Sequence, residues 1–423
     1  MVEPDRFLTV SLKDPRIARI LAAALDAVEP GRLVRDYLQL ATLPPHERLF
    51  ILGIGKAAEP MVLAAAQELP DFAKALVITK HATLAPPPRM EIMESAHPVP
   101  DARSVMAGRA ALDLASRLGE NDLLLCLISG GGSALTVSPR SGIGLRDIQL
   151  LTTGLLSAGA SVEDINTLRR HLDAFKGGGL ARITKARVLS LLLSDVIGDR
   201  LEAIASGPTA PDPTSGADAL GILSAYGIQA PPNVYALLST QRSGEDVPRS
   251  RVTNVVIGSN ELAAQAARQQ AIAEGFDARV LRTDLQGEAR ELGTRLAARL
   301  KADSEDDPRP FCLIVGGEPT VTVLGDGRGG RDQELALASV AVLADTRDLM
   351  LIALATDGDD GPTDAAGAVV TGETASHARL SNLDIEDHLE RNDSYRFFES
   401  LGDLLQPGYT GTNVNDLIFL LAL

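Results

Sequence analysis

The run Leu123-Leu124-Leu125-Cys126-Leu127-Ile128 restricts the fold more than any other stretch, because six consecutive apolar residues offer no polar face. A strand of this kind has to be covered on both sides, as in the middle of a parallel sheet with helices on each face. Further short apolar runs at 49–52, 75–79 and 188–193 alternate with stretches of helical spacing at 57–68, 102–118, 145–157 and 162–172. That is the rhythm of βαβ units. The alternation returns later, with strands predicted at 252–257, 278–281, 311–315, 321–324, 349–354 and 417–421 and helices at 262–274, 288–300 and 331–343. The spacing therefore predicts α/β architecture throughout, with a doubly wound, Rossmann-like sheet in the first half.

A chain of 423 residues exceeds what one core usually supports, so two domains with a cleft between them are expected. The polar stretch 240–250 interrupts the pattern and is the predicted boundary. It gives an N-terminal domain of 1–240 and a second α/β domain of 241–423. Roughly the first 45 residues read as helical and amphipathic, able to pack on the second domain. The acidic segment 302–308 reads as a solvated loop. Cys126 and Cys312 lie inside apolar runs and read as core thiols rather than a disulfide or metal ligands.

Composition removes several partners. A net charge of −16 with no basic stripe, no Trp and 3% aromatic residues argues against nucleic acid. No apolar run reaches membrane-spanning length, and the opening residues lack the basic-then-apolar pattern of an export signal, so a cytoplasmic location is expected.

Three glycine-rich loops follow strand-like runs and precede helix-like ones: Gly53-Ile54-Gly55-Lys56-Ala57-Ala58, Ser129-Gly130-Gly131-Gly132-Ser133, and Gly325-Asp326-Gly327-Arg328-Gly329-Gly330-Arg331. Glycine allows close backbone approach, and a helix start points N–H groups at an anion, so these loops are suited to phosphate or carboxylate. The first has the GxGxxA shape of a dinucleotide fingerprint, but the next strand ends Thr79-Lys80-His81 without the acidic residue that holds ribose. Lys56 sits where its ammonium and the helix start act on one anion, or where a lysine is merely solvated. Ser133 offers either a ligand hydroxyl or a helix cap. Arg331 in a first helical turn opposes the helix dipole and calls for Asp332, Glu334 or a bound anion. His97 in Ser95-Ala96-His97-Pro98 reads as ordering a turn.

Carboxylates gather at strand ends: Asp195 and Asp199 after 188–193, Glu318 after 311–315, and Asp357, Asp359 and Asp360 after 349–354. Enzymes that move phosphoryl groups use such residues to hold Mg²⁺ and accept a hydroxyl proton, while Lys and Arg steady the transferred oxygens.

These blocks, in this order, resemble the glycerate 2-kinase family whose C-terminal half is called the MOFRL domain. The resemblance runs through Gly53–Ala58, Glu94–Asp101, Ser129–Leu135, Ser194–Asp199, Ala205–Thr209, Gly316–Val321, Gly329–Leu337, Ala355–Gly367 and Gly408–Asp416. It implies an enzyme using ATP and Mg²⁺ to phosphorylate D-glycerate on its 2-hydroxyl, with the active site in the cleft between two α/β domains. It maps the family's key cations to Lys56 and Arg331, and Asp195 is expected beside them as a catalytic group, for base function or Mg²⁺. Gly53, Gly55, Ser129, Gly130, Gly131, Gly132, Ser133, Glu318, Gly329, Gly330, Thr410 and Asn413 would bind substrate or nucleotide, and Asp195, Asp199 and Asp357 would hold Mg²⁺. An NAD(P)H-dependent hydroxypyruvate reductase is the alternative, and the sequence leaves open whether the chain acts as a homodimer.

Overall fold

The computed structural model describes residues 2–83, 85–241 and 247–423. They form two compact units: Pro30–Ile257, and Gly258–Leu423 joined by the N-terminal segment through Glu29. The predicted boundary stretch lies partly outside the described residues, at 242–246.

The unit Pro30–Ile257 is built on a six-stranded sheet of β1 (Arg48–Ile54), β2 (Lys74–Thr79), β3 (Met90–Glu94), β4 (Asp122–Ile128), β5 (Arg187–Leu193) and β6 (Val252–Gly258), in the order β3-β2-β1-β4-β5-β6. Strands β1 to β5 run parallel. The order reverses between β1 and β4, which makes their carboxyl ends the switch point where open α/β sheets bind ligands. Every residue of β4 is buried, as its double-faced apolar run requires. The sequence pattern missed β3 because Met-Glu-Ile-Met-Glu is short and broken by two charges, Glu91 and Glu94, which suits an edge strand paired on one side only. Cys126 lies in this core, where burial pushes its thiol up to about 12.

The other unit has a mixed sheet of β7 (Asp277–Glu288), β8 (Phe311–Thr320), β9 (Leu349–Ala355), β10 (Gly367–Thr371), β11 (Leu404–Leu405) and β12 (Asp416–Ala422), in the order β11-β10-β9-β12-β8-β7. Only β7 and β8 pair in parallel. The last strand, β12, inserts between β8 and β9 and runs against both, buried along its whole length. Here the strand–helix alternation hid an antiparallel arrangement.

Two local expectations are corrected. Residues 321–324 form no strand: β7 ends opposite Thr320, so no partner edge remains, and Val323 and Leu324 are exposed. The amides of Leu324 and Gly325 donate instead to Asn392 Oδ1 at 2.8 and 2.9 Å. Residues 302–306 are helical, being the end of helix Ala289–Asp306, in which Arg299 pairs one turn on with Asp303.

The N-terminal helix Pro15–Asp26 starts with Asp14 accepting from the Arg16 amide at 2.9 Å and with proline in the first turn, where its missing N–H costs nothing. It packs on helix Asn260–Ala273, and Ile17, Ile20 and Leu21 of the one and the small Ala263, Ala264, Ala267 and Ala271 of the other are all buried. The Arg19 guanidinium spans Glu274 with two 2.7 Å bonds. Among the described residues no helix is long and apolar enough to cross a membrane.

Because Leu21 is fully buried, Leu21→Ala is expected to cost about 2–5 kcal/mol by urea denaturation. A loss well below 1 kcal/mol would show that this helix is not integral to the core it covers.

Candidate active site

In the unit Pro30–Ile257 the first two glycine loops lie side by side, because Ile54 ends β1 in register with Ile128 of β4. Gly55 takes φ 122° directly against Ser129, where a Cβ would overlap the serine. The loops are tied together: Ala57 N–H donates to Ser129 Oγ at 3.0 Å and Lys56 N–H to Gly130 O at 2.9 Å. The Ser129 hydroxyl is thereby engaged in holding one loop to the other. Gly53 packs its bare Cα against Val62 and Ala58 of the following helix.

Gly131, at φ 83°, is the N-cap of the short helix Gly132–Leu135, so the cap is this glycine and not Ser133. Ser133 Oγ instead shares a 2.8 Å hydrogen bond with Ser206 Oγ. Lys56 Cγ and His97 Cδ2 each lie 3.2 Å from where a Cβ on Gly131 would sit, and a Cβ on Gly130 would overlap the Asp195 carboxylate. Lys56, His97, Asp195 and the triple glycine therefore crowd one stretch of sheet edge. Asp199 follows Asp195 in the turn Ile197–Asp199, at φ 53°.

The His97 imidazole is half-buried beside Lys56. Burial, reinforced by the positive charges of Lys56, Lys80 and Arg169, pushes its pKa down to about 4. It is thus a neutral hydrogen-bonding ring at neutral pH. The sequence pattern read it as a turn former; its nearness to Gly131 was invisible without the fold.

In the unit Gly258–Leu423 the third loop leads into helix Arg331–Leu343. Gly329 approaches Ser394 and Gly330 approaches Asp360 so closely that no side chain fits. The Arg331 guanidinium places Nε 2.6 Å from Asp416 Oδ2, donates through Nη2 to Asp416 Oδ1 at 3.1 Å, and donates through Nη1 to Glu318 Oε1 at 3.0 Å. The side chain of Arg331 keeps 30% exposure while that of Asp416 has 1%. Burial works against the charged guanidinium, but its acidic neighbours, Asp416 foremost, outweigh it and raise its pKa.

The anions that neutralise Arg331 directly come from β12 and β8. Glu334, one of the two expected partners, pairs with Arg290 and accepts from Asn392. Asp332, the other, is fully buried with Asp360 and Asp416. Burial raises Asp416 to about 7, against the pull of Arg331, and raises Asp360 to about 6, against the amides of Gln333 and Asp332. Asp332 is raised as well, by burial and by its two acidic neighbours.

Asp357 stands in the loop after β9, its Oδ1 accepting from the Asp359 amide at 3.3 Å. Thr410 Oγ1 donates to Thr356 O at 2.6 Å and Asn413 Oδ1 accepts from the Asn415 amide at 3.0 Å, so both shape the approach to β12. Among the described residues no group of three or more His, Cys, Asp or Glu side chains could hold a metal ion.

Residues 16–239 match a family described as a domain of unknown function, DUF4147, and residues 311–416 match the MOFRL family. A D-glycerate 2-kinase of Thermotoga maritima is 42% identical over 407 residues, covering 94% of this chain and 96% of its own. The chain belongs to the glycerate 2-kinase family. A crystal structure of a glycerate kinase from Thermotoga maritima superposes with a TM-score of 0.89 at 41% identity, covering 96% of this chain and 98% of that one. A protein of Agrobacterium vitis with a provisional hydroxypyruvate reductase name is 37% identical over 413 residues, covering 95% of this chain and 92% of its own.

In this glycerate 2-kinase family member the predicted residues thus sort into two groups, one in each unit: Lys56, the triple glycine and Asp195, and Arg331, Glu318, Gly329 and Gly330. Sequence reasoning missed His97 in the first group and Asp416 in the second. The signal for Asp416 was present, as an acidic residue opening the apolar run of β12.

An NMR titration of the His97 imidazole is expected to have its midpoint near 4. A midpoint near the ordinary histidine value of about 6.5 would contradict the placement of the ring beside Lys56.

Proposed function

We propose that this chain transfers the γ-phosphoryl group of ATP to the 2-hydroxyl of D-glycerate, giving 2-phosphoglycerate and ADP. The observation that carries the reading is that each unit presents one cation at a glycine-rich helix entry, Lys56 beside Gly131 and Arg331 after Gly330. The reaction has two anionic substrates to hold, a carboxylate and a polyphosphate, and most of its catalysis is positioning and charge stabilisation.

In the chemistry, the 2-hydroxyl oxygen bonds to the γ-phosphorus as the bond to the bridging oxygen breaks and ADP leaves with the electron pair. The hydroxyl proton passes to a carboxylate, for which Asp195 at the end of β5 is our choice because it stands against Gly130. Lys56 and the helix-entry N–H groups of the triple glycine steady one anionic group, and Arg331 the other. His97, neutral beside Lys56, orients oxygen atoms without adding charge. Magnesium enters this reading as part of the MgATP substrate. The consumption of ATP fits a cytoplasmic enzyme.

The reductase alternative is weakened at β2, which ends at Thr79 and is followed by Lys80 and His81, where a dinucleotide site places a carboxylate on the ribose.

Lys56→Ala and Arg331→Ala are each expected to lower kcat/KM for D-glycerate phosphorylation by about 10²–10³-fold. Wild-type protein given hydroxypyruvate with NADH or NADPH is expected to leave the absorbance unchanged. Near-normal kinase turnover in both variants, or steady nicotinamide oxidation at catalytic protein concentration, would overturn the reading.

A further inference from the structure

The unit Gly258–Leu423 buries three carboxyl groups around one guanidinium. Asp332 has no exposed surface and neither of its oxygens has a donor, while Asp360 and Asp416 are each 1% exposed. The charged groups that face Asp332 are Arg331 on its own helix, Asp416 from β12 and Asp360 from the loop after β9; Glu318 of β8 acts on Arg331, and Asp357 on Asp360. Arg331 is the one cation among them, and Asp416 and Glu318 already engage it at 2.6 to 3.1 Å.

We propose that Asp332 is held as a neutral carboxylic acid whose hydroxyl donates to the Asp416 carboxylate, making Asp332 the residue that positions Arg331. The proton has to rest somewhere, since like charges packed together in a dry site do not all ionise. Asp360 is the poorer holder, because its Oδ2 accepts the Gln333 amide at 2.8 Å and that donor favours the ionised form. Asp416 is the poorer holder for the same reason, with the guanidinium against both its oxygens. Asp332 alone has no donor on either oxygen to satisfy a negative charge, and Asp416 is the neighbouring charge that acts on it most strongly. Its burial and acidic neighbours raise it in the sense this requires. A hydroxyl there fixes the plane of the Asp416 carboxylate, and that plane fixes the fork of Arg331.

The inference rests on the reading that Arg331 grips a substrate anion, and the test separates the two. Infrared difference spectra of the full chain at neutral pH, wild type against Asp332→Asn, should show a protonated-carboxyl C=O stretch that shifts in D₂O and is missing from the variant. Asp332→Asn keeps a donor with no charge and should turn over D-glycerate like wild type, whereas Asp332→Ala should lose on the order of 10²-fold through misplacement of Arg331. Stability supplies a further readout. A carboxyl raised in the folded state stabilises the fold at low pH, and that contribution fades as pH rises from the ordinary Asp value through the raised one. Asp332→Asn should therefore flatten the fall in stability above about pH 4. A carboxyl band that persists in Asp332→Asn would put the proton on Asp416 or Asp360 and overturn the proposal, as would the absence of any such band in wild type. Loss of the band together with full activity in Arg331→Ala would leave the neutral acid standing and sink the functional reading instead.

Discussion

The pairing of Arg331 with Asp416 is the interaction on which the second unit is organised. A guanidinium in a first helical turn faces the positive end of the helix dipole and needs negative charge brought to it. That charge arrives from β12, eighty-five residues further along the chain. It arrives correctly because β12 runs antiparallel between β8 and β9, in a register that sets Asp416 opposite Gly317 and Ala355. Glu318 and the Asp357–Asp360 loop follow immediately from those partners. One strand register thus brings Asp416, Glu318 and Asp360 to the helix that carries Arg331 and Asp332, and the burial of Asp332, Asp360 and Asp416 makes protonation part of the design.

The first unit reaches a similar end by a different route. Parallel strands all deliver their carboxyl ends to one edge, so loops far apart in the chain become neighbours without any special register. At the reversal between β1 and β4, two glycine loops are laced by backbone and serine hydrogen bonds, and the space spared by Gly131 lies between Lys56 and His97. The cation is partly exposed, and the neighbouring ring is neutral chiefly because it is buried, with the cations around it adding to the effect.

Much of this was legible in the sequence. Runs apolar on both faces announced β4, β5, β8, β9 and β12, and helices Leu145–Ser157, Val162–Leu172 and Arg331–Leu343 match their predicted limits. What escaped did so for physical reasons. Strand β3 is a short edge strand interrupted by Glu91 and Glu94, and β11 has two residues, too few for any period to show. Residues 321–324 have strand-like composition but no partner edge, and the acidic stretch after Leu300 stays helical through i,i+4 pairing that composition alone does not reveal. At the sites, spacing identified Lys56, Arg331 and Asp195 as candidates, because glycine loops and strand ends mark themselves. It did not identify the partner of Arg331, since ion pairing across eighty-five residues depends on sheet order.

Phosphorus NMR of the product formed from ATP and D-glycerate tests the central claim most directly. The account predicts ADP and a phosphomonoester coupled to the C2 proton of glycerate. Unconsumed ATP, or a phosphoester on the C3 hydroxyl, would contradict it.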